Sequence, residues 1–434
     1  MTSSPPGQKP GQAPTEAYVW VWLPGATQPV VAGRLEKGPG DTFVFNYGRS
    51  YLDRGDAISL FDRELPLQTG AQPLLPGLSM PGCIRDASPD AWGRRVIINR
   101  TMGLAGDAAA AVELDELTYL LESGSDRIGA LDFQASATAY VPRVGQSAPL
   151  ATLLEAAELV ERGVPLSSEL ERALRHGSSL GGARPKAMIE DGDTKYIAKF
   201  SASNDLYSVV KAEFIAMRLA AACGLRVAPV RLESALGKDV LLIERFDREH
   251  TKAGWRRRAM LSALTLLELD EMMARHASYE ALAEIVRHRF DAPHETLREL
   301  FGRLVFNILC GNNDDHARNH AAFWDGKQLS LTPAYDICPQ ARTGNVASQA
   351  MLIHGAAHQS QLATCLAAAE TFLLTASEAL AIMRAQIAVI RHDFDRVCDE
   401  AGVSLVDRTL FKGRQFLNPY AFEGLATELG ETTL

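Results

Sequence analysis

Short runs of alternating apolar and polar residues open the chain, and they predict strands. The runs are Tyr18–Leu23, Val30–Arg34, Thr42–Tyr47 and Ala57–Phe61, and turn-forming residues separate them. Because strand side chains alternate between the two faces of a sheet, each run can place one face against a core. We therefore predict a small antiparallel sheet within residues 16 to 66.

Helical periodicity follows the first predicted sheet. Ser88-Pro89-Asp90 predicts a helix start, because serine caps helix N-termini and proline is favoured at the first helical position. We expect this helix to run through about Asn99. Further helices are predicted at Glu113–Glu122, Leu150–Arg162 and Ser167–Leu174.

Asp-Gly-Asp between two apolar runs marks the clearest hairpin of the chain. Its strands are predicted at Ala187–Glu190 and Lys195–Phe200. A helix follows at about Tyr207–Ala222, ended by a glycine, which is common just past helix C-termini. A strand pair is then predicted at Val227–Glu233 and Asp239–Glu244.

From about residue 258 onward helical periodicity dominates, with one helix predicted at Leu297–Leu309. A polar loop around Asp314 and a hairpin from Phe323 to Leu331 interrupt it. The alternation of strand and helix patterns predicts an α+β protein, and 434 residues predict two or three domains.

Composition is that of a globular enzyme, with 47% hydrophobic and 22% charged residues. The net charge of −9 gives no reason to expect that the chain coats nucleic acid by itself. Six scattered cysteines form no Cys-x-x-Cys pair. Residues 2 to 15 are rich in Pro, Gly, Ser and Gln and are predicted to be a disordered tail, not a signal peptide. No apolar run approaches the ~20 residues of a membrane helix, so we expect a cytoplasmic protein.

The polar loop Asn312–Asn319 and a later aspartate carry the strongest chemical signal. Asp314, an asparagine five positions later, a hairpin and then Asp336 follow the order in which protein-kinase-type enzymes supply their phosphoryl-transfer groups. The first aspartate accepts the hydroxyl proton, and the asparagine and second aspartate hold magnesium. Spacing favours Asp314 as the base, and we expect Asp315 to be a bystander.

Two histidines in this segment, His316 and His320, are four positions apart and could be metal ligands on a helix. The segment is predicted to be a loop, however, and magnesium prefers oxygen ligands. We therefore expect His316 to hold the loop by hydrogen bonds. The blander alternative for the aspartates is that they cap or solvate a loop.

A loop of small residues, from Gly177 to Lys186, precedes the hairpin. Small residues let backbone N–H groups approach an anion, and a lysine adds a point charge. Lys199 lies between apolar neighbours in the second strand, where a charge needs a partner or a ligand phosphate. Glu213 on the following helix is a candidate partner for Lys199.

Together these residues resemble the HipA family of serine/threonine kinases, the toxin halves of bacterial toxin–antitoxin pairs. The resemblance covers residues 177 to about 340. It rests on five segments in order: Ser179 to Lys186, Lys199, Glu244-Arg245-Phe246-Asp247-Arg248, Asp314 to Asn319, and Thr332-Pro333-Ala334-Tyr335-Asp336-Ile337.

The resemblance implies a two-lobed, protein-kinase-like fold that uses ATP and Mg²⁺. It implies a HipA-like N-terminal subdomain at 16–165, a small lobe at 166–250 and a helical C-lobe at 251–434. Asp314 is then the catalytic base, and Asn319 and Asp336 are the metal ligands. The nucleotide-binding residues implied are Lys199, Lys186, Ser179, Gly181, Gly182, Glu244, Phe246 and Asn319.

Regulation and partners also follow from the resemblance. The serine aligning with Ser179 is autophosphorylated in the family, and Ser178 could share that role. Arg184-Pro185 departs from the Gln-Glu of the best-known members. A HipB-like helix-turn-helix antitoxin is the implied partner, operator DNA would be reached mainly through it, and an aminoacyl-tRNA synthetase is one possible substrate.

Three alternatives stay open at this stage. A small-molecule kinase of the aminoglycoside-phosphotransferase type shares the Asp, Asn and Asp layout. A non-catalytic antitoxin- or DNA-binding regulator could retain the fold. A metal-dependent hydrolase could use the Asp and His cluster, although no third His or Cys ligand is suitably spaced.

Overall fold

The computed structural model describes residues 13–102, 104, 112–145, 148–174, 179, 182–202, 205, 207–342 and 344–430. Two residues predicted to belong to the site, Ser178 and Gly181, lie outside the described residues.

A four-stranded antiparallel sheet forms the N-terminal part, in the order β3-β2-β1-β4. Its strands are β1 (Glu16–Val21), β2 (Val30–Lys37), β3 (Phe43–Tyr47) and β4 (Leu131–Gln134). The predicted sheet is therefore confirmed, but one of its predicted strands is wrong.

Residues 57–61 form no strand, and β4 takes the fourth place in the sheet. The segment turns back on itself instead. The Tyr51 hydroxyl donates to the Ile58 carbonyl at 2.8 Å, and the Ser59 hydroxyl donates to the Leu65 carbonyl at 2.8 Å. These side-chain bonds replace the ladder that a strand would need.

Between β3 and β4, the described residues form four helices: α1 (Arg49–Leu52), α2 (Gly82–Arg85), α3 (Ala91–Met102) and α4 (Glu116–Glu122). Helix α3 begins at Ala91, so the predicted start with Ser88 as N-cap is wrong. The Ser88 hydroxyl donates instead to Glu116 at 2.9 Å, which ties the segment before α3 to α4.

A second antiparallel sheet has the order β5-β6-β8-β7. Its strands are β5 (Lys186–Asp191), β6 (Thr194–Phe200), β7 (Val230–Ala235) and β8 (Lys238–Glu244). Helices α5 (Leu150–Arg162) and α6 (Ser168–Leu174) cover one face, and α7 (Val209–Ala222) covers the other. The predicted hairpin, strand pair and helices of this region are confirmed, with ends that shift by up to three residues.

Two smaller sheets follow. Strands β9 (Arg248–Thr251) and β10 (Gly254–Arg257) form a hairpin. Strands β11 (Ala259–Ser262), β12 (Ala321–Trp324) and β13 (Leu329–Leu331) form an antiparallel sheet in chain order. The predicted hairpin after the polar loop is thus confirmed as β12 and β13. Strand β11 was not predicted, because helical periodicity was expected from residue 258.

The remainder is helical and packs around α10, of whose 18 residues 13 are buried. Its helices are α8 (Ala263–Leu266), α9 (Tyr279–Arg289), α10 (Pro293–Cys310), α11 (Leu362–Ala367), α12 (Ala376–Glu400) and α13 (Leu405–Phe411). Short 3₁₀ turns occur at Glu271–His276, Ala317–Asn319, Ala369–Phe372 and Pro419–Phe422. Among the residues that the structure describes, no helix is long and apolar enough to cross a membrane.

Candidate functional site

A cavity of about 560 Å³ lies where the second sheet, the polar loop and the N-terminal sheet meet. Eight of the predicted site residues line it: Ser179, Gly182, Lys186, Lys199, Glu244, Phe246, Asn319 and Asp336. Asp314 is exposed beside the cavity, at the start of the loop whose residues 316–319 line it. The structure therefore brings segments from five separate parts of the chain to one place.

Lys199 brings a positive charge to the cavity and pairs it with two carboxylates. Its Nζ donates to Glu213 Oε1 at 2.6 Å and also donates to Asp336. Burial alone would lower the pKa of Lys199, but the carboxylates of Asp336 and Glu213 outweigh burial and raise it. The ammonium thus stays charged, and the proposed partner Glu213 is indeed its neighbour.

Asp336 presents a carboxylate to the cavity. Its side chain is 42% exposed, whereas that of Glu213 is 3% exposed. Burial of Asp336 opposes ionisation, but Lys199, followed by Lys186, lowers its pKa to about 2. Its backbone has φ of +58°, a left-handed conformation that is uncommon for residues other than glycine and is often found at functional sites.

Asp315, which is 1% exposed, anchors the polar loop through buried contacts. One carboxylate oxygen accepts from the Tyr279 hydroxyl, and the other pairs with His320 Nε2 at 2.8 Å. The side-chain contact that anchors the loop comes from His320, whereas His316, for which loop-holding hydrogen bonds were predicted, makes them through its backbone and lines the cavity. Asp315 is not a bystander, because it holds the loop in place.

Asp314 and Asn319 are linked across the top of this loop. The side-chain amide of Asn319 donates to the Asp314 carbonyl at 3.1 Å, and the His316 N–H donates to the same oxygen at 2.9 Å. Partial burial raises the pKa of the Asp314 carboxyl; His316 opposes this shift, and Asp336 and Asp315 add to it. A raised pKa makes a carboxylate a stronger proton acceptor.

The loop of small residues meets the cavity at Gly182 and Lys186. The backbone of Gly182 has φ of +88°, a conformation that favours glycine, and it lies close to the end of the Lys186 side chain. Lys186 lies directly opposite Lys199 in the hairpin register. Burial, and then the nearby charge of Lys199, lowers the pKa of Lys186 to about 8. Two neighbouring cations with one small-residue loop suit an anionic ligand.

Arg184 does not join these cations. Its guanidinium makes two hydrogen bonds to Asp205, at 3.0 and 2.8 Å. Asp205 also accepts from the Ala202 N–H at 2.9 Å, which fixes the carboxylate. Arg184, one of the two residues that depart from the family pattern, therefore ties the loop to the segment after β6.

Comparison with known proteins identifies the family. The family model for the HipA-like C-terminal domain matches residues 178–396, and the model for the HipA N-terminal domain matches residues 21–134. The chain belongs to the HipA family. The predicted membership is thereby confirmed, and it extends to the N-terminal part, where the sequence motifs were weak.

Individual relatives are more distant. The chain is 28% identical over 174 residues to "Putative kinase Y4mE" of Sinorhizobium fredii, covering 37% of this chain and 41% of that protein. It is 25% identical over 181 residues to a "Putative kinase" of Haemophilus influenzae, covering 37% of this chain and 52% of that protein. The chain thus spans about half the length of these curated relatives.

A solved structure shares the fold of this HipA-family protein over most of its length. It is HipA of Shewanella oneidensis MR-1, determined with HipB and its operator DNA. The TM-score is 0.65 at 19% identity, and the match covers 93% of this chain and 99% of that chain. The predicted two-lobed α+β, protein-kinase-like fold is confirmed.

In this HipA-family chain, residues 244–248 contribute both to the cavity wall and to a buried ionic cluster. Glu244 and Phe246 line the cavity, and the Phe246 ring lies 5.9 Å from Phe323 and 5.8 Å from Tyr335. Arg245 also borders the cavity, but its side chain bonds within the buried cluster. It contacts Asp247 at 2.8 Å, and its side chain is fully buried, so the alternative of a surface charge pair is wrong.

Sequence reasoning missed the acidic partner of this cluster from the N-terminal part. Asp126 lies 3.2 Å from Arg245 and 2.9 Å from Arg248, and it also pairs with Lys195 at 2.6 Å. Burial alone would raise the pKa of Asp126, but these three cations hold it well below its ordinary range. In the sequence, the only sign of this cluster was the presence of opposite charges at positions far apart in the chain.

Proposed function

We propose that this chain is an ATP- and Mg²⁺-dependent serine/threonine protein kinase. The observation that carries the proposal is the convergence, in one cavity, of Lys199 paired with Glu213, of Asn319 and of Asp336, with Asp314 beside it. Lysine, asparagine and two aspartates in these positions are the parts that kinases use for phosphoryl transfer.

Lys199 and Lys186 would hold the nucleotide phosphates. Both ammonium groups belong to the adjoining strands β5 and β6 and face the same cavity. The Glu213 carboxylate fixes Lys199 from behind, so the lysine is already oriented before a ligand arrives. Such preorganised charge costs little reorganisation when charge develops on the phosphoryl group.

Asn319 and Asp336 suit Mg²⁺, because both offer oxygen atoms and magnesium prefers such ligands. When bound, Mg²⁺ would neutralise negative charge on the transferring phosphoryl group. Asp336 would exchange its contact with Lys199 for the metal, and its low pKa keeps the carboxylate ionised for that role. No group of three His, Cys, Asp or Glu that could hold a metal occurs among the described residues, so the hydrolase alternative finds no ligand cluster there.

Asp314 would accept the proton of the incoming hydroxyl. The side chain is exposed, beside the residues that line the cavity, where a serine or threonine of another protein can reach it. Its raised pKa suits proton acceptance, since a base works best when its pKa approaches the working pH.

We further propose self-modification at Ser179, with Ser178 as the second candidate. Ser179 lines the same cavity as Lys199, so a phosphate on it would add about −1.5 to −2 charges where nucleotide phosphates are to bind. As in the family, this would inactivate the kinase.

The biological role proposed is that of the toxin in a HipBA-like toxin–antitoxin system, acting by phosphorylating a translation-related protein such as an aminoacyl-tRNA synthetase. A HipB-like antitoxin would bind it and carry it to operator DNA. The shared fold with a HipA that was determined with HipB and operator DNA supports this proposal. The net charge of −9 fits contact with DNA mainly through the antitoxin.

The first test is incubation of the purified protein with Mg-ATP, followed by mass spectrometry of phosphorylated residues. We expect phosphate on Ser179 or Ser178 in the wild type, and a rate lower by about 10²- to 10⁴-fold in Asp314→Asn, because the base is lost. Asp62→Asn is the matched control. Asp62 is exposed and pairs with Arg289 at 2.5 Å outside the cavity.

Three other outcomes would contradict the proposal in different ways. Wild-type rates in Asp314→Asn would remove Asp314 as the base. Nucleotide binding with transfer only to small alcohols would indicate a small-molecule kinase. A protein that binds no Mg-ATP would be a non-catalytic regulator.

A further inference from the structure

Asp90 joins three segments that are far apart in the chain. Its Oδ2 accepts from the Gly182 N–H at 2.5 Å, in the loop of small residues. Its Oδ1 accepts from Arg318 at 2.6 Å, in the polar loop between Asp314 and Asn319. One carboxylate of the N-terminal part therefore touches both loops of the proposed kinase site.

The start of helix α3 holds the same loop at further points. The Trp92 N–H donates to the Gly182 carbonyl at 3.2 Å, and its indole N–H donates to the Lys186 carbonyl at 2.9 Å. Arg95 donates to the Ala183 carbonyl. Trp92 is fully buried, so this support is part of the core. Residues 182–186 thus rest on the N-terminal part of the chain.

Helix capping does not account for Asp90. A capping aspartate uses its side chain on the amides of its own first turn. Both oxygens of Asp90 are instead bonded to groups 92 and 228 residues away. Arg318 is in turn fixed from its other side by Glu271 at 2.7 Å, which leaves its guanidinium little freedom.

We propose that Asp90 is a positioning residue for phosphoryl transfer, and that the N-terminal subdomain thereby completes the nucleotide site. The inference rests on the proposed kinase function. Asp90 would set the distance between the phosphate-holding loop at Gly182 and the polar loop at Arg318. Asp90 itself lines the cavity, and the role proposed for it acts through the two loops that it bonds.

The substitution Asp90→Asn tests this coupling without changing the size of the side chain. An amide has one accepting oxygen, and its NH₂ group would face a donor from either Gly182 or Arg318. One of the two contacts must then open. Because small displacements in a phosphoryl-transfer site are costly, we expect kcat/KM for ATP to fall by about 10- to 100-fold.

The experiment compares Asp90→Asn, Arg318→Met, the double variant and Asp62→Asn as the control. Asp62–Arg289 also joins the N-terminal part to the helical part, across 227 residues, but lies outside the cavity. For each full-length protein, kcat and KM for ATP are measured in the autophosphorylation reaction. Amide hydrogen exchange is measured for the peptide containing residues 182–186.

We expect Asp90→Asn to raise KM for ATP and to speed exchange in residues 182–186, and Asp62→Asn to do neither. The double variant should be no worse than the worse single variant, since both remove one coupling. Asp90→Glu, which retains two accepting oxygens, should recover part of the loss.

Wild-type KM and wild-type exchange in Asp90→Asn would overturn the inference, as would equal losses in Asp62→Asn. Fully additive effects of Asp90→Asn and Arg318→Met would overturn the coupling between the loops. If the wild type transfers no phosphate, the kinase proposal fails. Hydrogen exchange would still show whether Asp90 holds the loop, so the two failures can be distinguished.

Discussion

Two ionic clusters border the cavity, and they use charge differently. In the closed cluster, Arg245, Asp247, Arg248 and Asp126 are each at most 8% exposed and bond mainly to one another. In the open cluster, Lys199 pairs with buried Glu213 and with Asp336, whose side chain is 42% exposed.

The difference separates a structural role from a chemical one. Charges that are fully paired away from water hold segments together but have no capacity left for a ligand. A carboxylate that is paired yet open to a cavity can exchange its partner for a metal or a phosphate-bound ion. Burial alone therefore does not distinguish the two clusters; the open side of Asp336 does.

Removing a cation from the closed cluster should have the largest effect on stability. Arg245→Ala leaves Asp247 and Asp126 buried with fewer positive partners, so we expect a loss of about 3–5 kcal/mol in the free energy of unfolding. Urea denaturation measures this. The control Arg34→Ala breaks an exposed pair with Glu16, and should cost less than about 1 kcal/mol. Equal losses in the two variants would mean that the closed cluster is not structural.

Removing the cation of the open cluster should affect phosphoryl transfer more than stability. Lys199→Met should lower the rate of phosphoryl transfer by about 10²- to 10³-fold, because a preorganised charge at the phosphates is lost. Its effect on unfolding should be smaller than that of Arg245→Ala. Burial already raises the pKa of Glu213, so that carboxyl can take up a proton when Lys199 is gone. If Lys199→Met lowered the free energy of unfolding as much as Arg245→Ala does, the proposed difference in role between the two clusters would be contradicted.

The smallest expected effect is a pH dependence that comes from Lys186. Its pKa of about 8 means that the ammonium group of the free protein loses its proton as the pH rises through 8. Mg-ATP affinity should then fall by up to about tenfold between pH 7 and 9, which corresponds to about 1.4 kcal/mol of lost phosphate contact. Isothermal titration at several pH values measures this, and Lys186→Met should flatten the profile.

The lowered pKa of Lys186 also predicts the direction in which stability changes with pH. The unfolded chain keeps a proton on Lys186 up to about pH 10.4, while the folded chain releases it near pH 8. Between these values the unfolded state binds more protons, so the contribution of Lys186 to stability rises with pH. A contribution that falls across this window would contradict the lowered pKa.

Regular local patterns were predictable from sequence. Helix Leu150–Arg162 has a buried apolar face and ends at Gly163 with φ of +76°, and its predicted bounds are confirmed. Strand Leu131–Gln134 escaped prediction because all four of its residues are buried, including Asp132, which pairs with Arg127 at 3.0 Å. Alternation vanishes where a buried ion pair replaces a polar, solvent-facing position.

The candidate site divides in the same way. Its residues near one another in sequence, such as Asp314 and Asn319, were predictable because spacing encodes a shared loop. Asp90 and Asp126 were not, because their partners lie 69 to 228 residues away and only folding brings them together. Asp90 was interpreted as part of a local helix start, since a sequence shows neighbours along the chain and not across it.

Asp126 also has a consequence for which parts of this chain could be separated from one another. A gene fragment starting after residue 150 would encode the groups proposed to bind the nucleotide, the metal and the hydroxyl proton, and the whole of the matched C-terminal domain. Its product would retain Arg245, Arg248 and Asp247 but would lack Asp126, one of the two carboxylates that pair with both arginines. A recombination that replaced the N-terminal part would preserve the charge balance of the closed cluster only if the new part supplied a carboxylate in the place of Asp126.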